Sequence, residues 1–117
     1  MAVYNQVTPE EIFHNEEVKS YILRGNDCLG AIGFTGHGFA HAKRSSDTAR
    51  EILASLGYPQ RQCQLAAIAG YMHDIGNTVN RVDHAHSGAL MAFTILNKLN
   101  MPPEEIGLVC SAIGHHD

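Results

Sequence analysis

The chain has 117 residues, of which 44% are apolar and 17% charged, and a formal charge of −4. That length and composition suit one compact soluble domain with a single core, and the acidic balance argues against a protein that gains affinity from Lys and Arg on nucleic-acid phosphates. No apolar run reaches the roughly 18 residues of a membrane-spanning helix, no basic-then-apolar leader opens the chain, and Cys28, Cys63 and Cys110 form no CxxC pair, so neither a disulfide framework nor a thiolate zinc site is indicated.

Three scattered thiols fit the reducing cytoplasm. In chain order, Thr8-Pro9-Glu10-Glu11 opens a helix with an N-cap, a first-position proline and a capping-box glutamate. With a break near Asn15, this helix is expected to bury Ile12, Val18, Tyr21 and Ile22 and to end at Gly25. Cys28 to Gly38 holds glycines at 30, 33, 36 and 38. It reads as turns and a loop lining one side of a site.

A second helix is predicted from about Phe39 to Leu56. Ala42, Ala49, Ile52, Leu53 and Leu56 make its apolar stripe, and Gly57 stops it. A third runs from Pro59 through about Ile75, with Leu65, Ile68, Ala69 and Met72 inward and Gly76 as its stop. Asn77 to Arg81 reads as a loop. Asp83 caps a fourth helix through Leu99, carrying Leu90, Phe93, Thr94 and Leu96. Pro102 and Pro103 start a fifth, with Glu104 and Glu105 in its favourable first turn and Ile106, Val109, Cys110 and Ile113 inward. No segment alternates with period two long enough to demand a strand, so the fold class is all-α.

The chain is rich in histidine: eight residues, seven of them between His37 and His116. Histidine is the commonest metal ligand and the usual acid or base near neutral pH. These histidines fall where helices begin or end. His41 lies in the first turn of the second helix, His73-Asp74 in the last turn of the third, His84 in the first turn of the fourth, and His115 and His116 at the end of the fifth. Antiparallel neighbours place one helix's start beside another's end, so the group can converge on one cavity. Imidazole nitrogens with a carboxylate suit Fe, Mn, Zn or Ni, whereas magnesium prefers oxygens. His84 and His86 are two apart and point about 200° from one another on a helix, so one of them enters a site.

The stretch from His41 to His116 resembles the HD-domain superfamily of metal-dependent phosphohydrolases. His41, Ser45, Ala49, Ile52 and Leu56 match its first motif, a helix-opening histidine followed by small or apolar residues. The apolar helix ending in His73-Asp74-Ile75-Gly76 matches the naming motif. His84 precedes Gly88-Ala89 by four, and Ile113-Gly114-His115-His116 matches the last histidine motif.

The resemblance implies a compact helical bundle of about five or six helices. It makes residues 1–117 a single HD domain that lacks its C-terminal helix or helices, since the family's last ligand is an aspartate on a later helix. It assigns a first metal to His41, His73 and Asp74, and a second to His84 and His116 with Asp74 bridging. His73 and Asp74 are the catalytic pair, and one or two divalent transition metals are the cofactor. A metal-activated water would then hydrolyse a nucleotide or small phosphoester. Many members carry lysine after His-Asp-Ile-Gly; here Asn77 stands there, and Arg81 or Arg44 can supply the charge. His37, Arg44, Asn77, Arg81 and His115 are the candidate substrate contacts. The expected partner is a small phosphorylated molecule, with neither a nucleic-acid polymer nor a membrane, and a homodimer is left open. Two alternatives accompany this reading: a non-catalytic module that senses a nucleotide or metal, and, more remotely, a di-iron oxygenase.

Overall fold

The computed structural model describes residues 3–33 and 38–116. Six α-helices and one 3-10 helix fill these residues, with no strand among them. Thr8 caps α1 (Pro9–Phe13) by accepting from the Glu11 amide, and Asn15 caps α2 (Glu16–Ala31) by accepting from the Val18 amide. The expected break near Asn15 is thus a second helix start.

Gly25 does not end that helix. It is buried within α2, and a Cβ there would stand 3.3 Å from the Asn77 Cβ. The glycine lets α2 lie close against the later chain, so the helix runs six residues past the expected stop. The expected loop therefore begins only after Ala31, and its central residues fall outside the described ones.

The remaining helices are α3 (Phe39–Ser55), α4 (Gln60–Met72), α5 (His84–Lys98) and α6 (Pro103–Gly114), with the 3-10 helix Ile75–Thr78 between α4 and α5. The third predicted helix was expected to run to Ile75; α4 stops at Met72 and His73-Asp74 lie just beyond it. Ile12, Val18, Ile68, Met72, Ile75, Ile95 and Ile113 are fully buried in one core.

Two stripes differ from expectation. In α3 only Ala42 and Ser46 are buried, and Leu56 is 68% exposed. In α5 the inward line is Ala85, Gly88, Ala92, Ile95 and Leu96, while Leu90 is 71% exposed and Phe93 also faces out. α3 presses small residues inward against α4, and α5 does the same at Ala85, Gly88 and Ala92 while burying Ile95 and Leu96 farther along; Leu56, Leu90 and Phe93 are left outside.

A clamp aligns α4 with α6. The Arg61 guanidinium donates from Nε and Nη2 to the two Glu105 oxygens at 3.0 and 2.6 Å, and from Nη1 to the Val7 carbonyl at 2.7 Å. Arg61 and Glu105 sit in the first turns of helices of 13 and 12 residues. Near-equal lengths then bring the two C-terminal ends to about the same level. His73 and His116 follow those ends.

Candidate metal centre

Four helix ends meet at one place. The C-terminal ends of α4 and α6 deliver His73-Asp74 and His116, and the N-terminal ends of α3 and α5 deliver His41 and His84. Asp74 is the hub. Its Oδ2 lies 3.3 Å from Nε2 of His41 and 3.3 Å from Nε2 of His73. Its Oδ1 lies 3.4 Å from Nε2 of His84 and 3.8 Å from Nε2 of His116. Each carboxylate oxygen thus serves one pair of imidazoles. The result is two half-sites, His41-His73-Asp74 and Asp74-His84-His116, each with donor atoms within 4.8 Å of one another.

The backbone sets which nitrogen faces inward. The Nδ1–H of His73 donates to the Gly70 carbonyl at 2.6 Å, that of His84 to Arg81 at 3.1 Å, and that of His116 to Ile113 at 2.5 Å. A ring that donates through Nδ1 presents the Nε2 lone pair to the centre, the arrangement that orients metal-bound histidines. Nε2 of His84 and His116 face each other at 3.0 Å. Two lone pairs so placed repel unless a cation or proton lies between them. The donor set and its orientation therefore fit a divalent transition metal.

The His73 pKa is governed by opposing effects. Burial favours the neutral ring, but the Asp74 carboxylate, by hydrogen bond and by charge, and the Gly70 carbonyl together outweigh it. The pKa is raised above 6.5, although the Arg81 charge works against this.

Close packing holds the second half-site in place. A Cβ on Gly76 would run into the His84 carbonyl oxygen and stand 2.6 Å from the Gly88 nitrogen. Gly76, expected to stop a helix, instead lets the 3-10 helix touch the first turn of α5. A Cβ on Gly70 would lie 2.7 Å from the Ser45 carbonyl oxygen, so glycine also sets the α3–α4 distance beside His41 and His73.

Of the other expected site residues, His86 is exposed while His84 is 2% exposed. Asn77 is also 2% exposed and bonded to Asp74 and Arg81. Arg81 Nη1 lies 4.0 Å from Asp74 Oδ1. His115 sits on the exposed side of α6, its Nδ1 2.8 Å from the Ser111 carbonyl. Arg44 is exposed on α3. His37 lies outside the described residues. The reading of the sequence missed Arg61, whose partner Glu105 it took only as a first-turn acid, and it missed the contact roles of Gly70 and Gly76. Glycines beside the histidine motifs were the available signal.

A helical bundle whose helix ends gather paired histidines around a shared carboxylate defines a class of metal-binding domain. The HD domain family matches residues 38–117, and the chain belongs to it; that family places it within a superfamily of metal-dependent hydrolases. An uncharacterized protein of Methanocaldococcus jannaschii is 27% identical over 106 residues, covering 77% of this chain. The chain matches 40% of that relative's length. No solved structure matches the chain. No helix among the described residues is long and apolar enough to cross a membrane.

Proposed function

We propose that this domain is a metal-dependent phosphohydrolase, a phosphatase or phosphodiesterase acting on a nucleotide or small phosphoester. The observation that carries the reading is Asp74, with one oxygen turned to each histidine pair. Transition-metal ions bound in such paired sites polarise phosphoryl oxygens and make water a nucleophile near neutral pH.

The chain's own groups do the rest. His41, His73 and Asp74 would hold one ion, and His84 and His116 together with Asp74 would hold the other. The Nδ1–carbonyl bonds keep the imidazoles of His73, His84 and His116 oriented without side-chain rearrangement. Asp74 accepts a proton from the attacking water, and that proton passes to the departing alkoxide as the phosphorus–oxygen ester bond breaks. The products are an alcohol and phosphate, or a phosphomonoester when the substrate is a diester. The N-terminal ends of α3 and α5, which bring His41 and His84 to the centre, have no side-chain cap, and the positive end of a helix dipole favours a nearby anion. Arg81 adds a full positive charge at its rim. The chain's negative charge agrees with a small substrate held by local positive groups rather than a polymer held by a basic face.

The test is elemental analysis of protein purified without chelator, together with hydrolysis of a panel of nucleoside phosphates and aryl phosphoesters under Mn, Fe, Zn and Ni. Bound transition metal and product formation are expected. Since losing an outer partner of a metal ligand costs about 10–100-fold, removing a ligand should cost at least about a hundredfold, so His73→Ala and Asp74→Ala should lower turnover by that much. Full activity in those variants would overturn the reading. Thermal stabilisation by nucleotide with no product under any metal would instead indicate a sensing module. Oxygen consumption by the iron-loaded protein would indicate an oxygenase.

A further inference from the structure

Asn77 and Arg81 form a small device beside the second half-site. The buried Asn77 amide is used at both ends. Its Nδ2 donates to the Asp74 backbone carbonyl at 2.9 Å, and its Oδ1 accepts from Arg81 Nη1 at 3.4 Å. The same segment is anchored from behind, where the Thr78 hydroxyl donates to the Tyr21 carbonyl at 2.8 Å and Gly25 lets α2 close on Asn77. Asn77 therefore has a fixed support and points Arg81 at the centre.

Arg81 Nη1 stands 4.0 Å from Asp74 Oδ1, the oxygen facing His84 and His116. That is an ion-pair distance, longer than a hydrogen bond. The Arg81 side chain is 34% exposed, against 15% for Asp74, so it forms the solvent-side edge of the half-site. A guanidinium is a planar fork whose donors match phosphate oxygens.

Resting on the phosphohydrolase reading above, the loaded centre would present three positive groups to a ligand: an ion held by each of the two residue groups that share Asp74, and Arg81. A terminal phosphoryl group offers three non-bridging oxygens and close to two negative charges near pH 7. A phosphodiester offers two such oxygens and one charge. We propose that the site selects phosphomonoesters over phosphodiesters, with Arg81 binding the third phosphoryl oxygen and Asn77 acting as the positioning residue that holds Arg81 there.

The experiment uses the metal-loaded protein and two probes, p-nitrophenyl phosphate and bis(p-nitrophenyl) phosphate, plus inorganic phosphate titrated calorimetrically. The unaltered protein should favour the monoester. In Arg81→Ala the monoester-to-diester ratio of kcat/KM should fall about tenfold or more, and phosphate should bind about tenfold more weakly, as expected for one lost charge-assisted contact. Arg81→Lys should fall between, because it keeps the charge and loses the fork. Asn77→Ala should raise KM for the monoester severalfold with kcat nearly kept, and metal content should stay at its unaltered value.

An unchanged ratio and phosphate affinity in Arg81→Ala would overturn the proposal. Unchanged KM and phosphate affinity in Asn77→Ala would overturn the positioning role, and melting curves on the same samples show whether each variant is folded. If neither ester nor any nucleoside phosphate of the panel is hydrolysed, the phosphohydrolase reading has failed. The phosphate titration of unaltered protein against Arg81→Ala then still decides whether Arg81 is an anion-binding residue.

Discussion

The candidate metal centre stands between two unlike walls. On one side the 3-10 helix and α5 meet backbone to backbone at Gly76, Gly88 and His84, with no room for a single added methyl group. On the other, α3 and α6 face each other across α4 and leave an apolar groove. A cavity of about 260 Å³ bordered by Leu53, Tyr58, Leu65 and Leu108 leads toward one of about 300 Å³ bordered by Ala49, Gly70, Ala112 and His116. Small residues serve opposite purposes in the two places. In the first wall they remove distance between backbones; in the second they leave a low floor beside the site. His84, on the closed side, is nearly sealed from solvent, whereas the His41 side chain, next to the open side, is 30% exposed. His84 is therefore held by packing and His41 is left more accessible, while His116, the other histidine of the second half-site, borders the open groove together with His73.

Four experiments break or sharpen that contrast. The largest effect is expected from Gly76→Ala. The new methyl group forces α5 away, at a cost of about 3 kcal/mol or more, and His84 moves with it. Thermal denaturation should show the loss, and metal analysis should show the second half-site emptied before the first. A variant with unaltered melting and metal content would show that this wall yields.

Next come the two histidines compared directly. In metal-free protein, His84→Ala leaves a buried gap and should cost about 1–2 kcal/mol in urea denaturation. His41→Ala, on the more open side, should cost under about 1 kcal/mol, although each removes one ligand. Equal costs would erase the distinction drawn here.

Smaller is the pH effect at His73. Its folded-state pKa is raised by Asp74 and Gly70 against the opposing effect of burial. A raised histidine pKa means the protonated ring is favoured in the folded state. Its contribution in metal-free protein is fully present below the unfolded value near 6.5 and is lost as pH rises through the higher folded value. Denaturation of the chelator-treated protein between pH 5.5 and 8.5 should show this decline, and His73→Gln should abolish it. Because metal must displace that proton, metal affinity should rise over the same interval.

The smallest effect is expected just beyond the end of α3, on the α3 side of the groove rather than in its lining. Leu56 is largely exposed, so Leu56→Lys should change stability by no more than about 0.5 kcal/mol. A loss several times larger by the same denaturation assay would mean that Leu56 is covered in solution.

The sequence by itself determined the helices and the identity of the ligand candidates. Capping chemistry at Thr8 and the prolines at the start of α6 announce helix starts through purely local interactions. The His-Asp-Ile-Gly run, with histidines spaced around it, is likewise readable in one dimension, because each motif pairs a ligand with the small residues next to it. Only the tertiary structure decided which faces are inside. Ile52, Leu56, Leu90 and Phe93 look like core in a periodicity count, yet α3 and the first half of α5 bury alanine, serine and glycine where their partners lie too close for larger side chains, and only Ile95 and Leu96 carry large side chains inward from α5. Tertiary packing also gave Gly25 and Gly76 their meaning as contact points rather than helix stops. The same holds for Asp74: its place in the motif is visible in the chain, but the assignment of one oxygen to each histidine pair depends on four helix ends, far apart in sequence, arriving at one point.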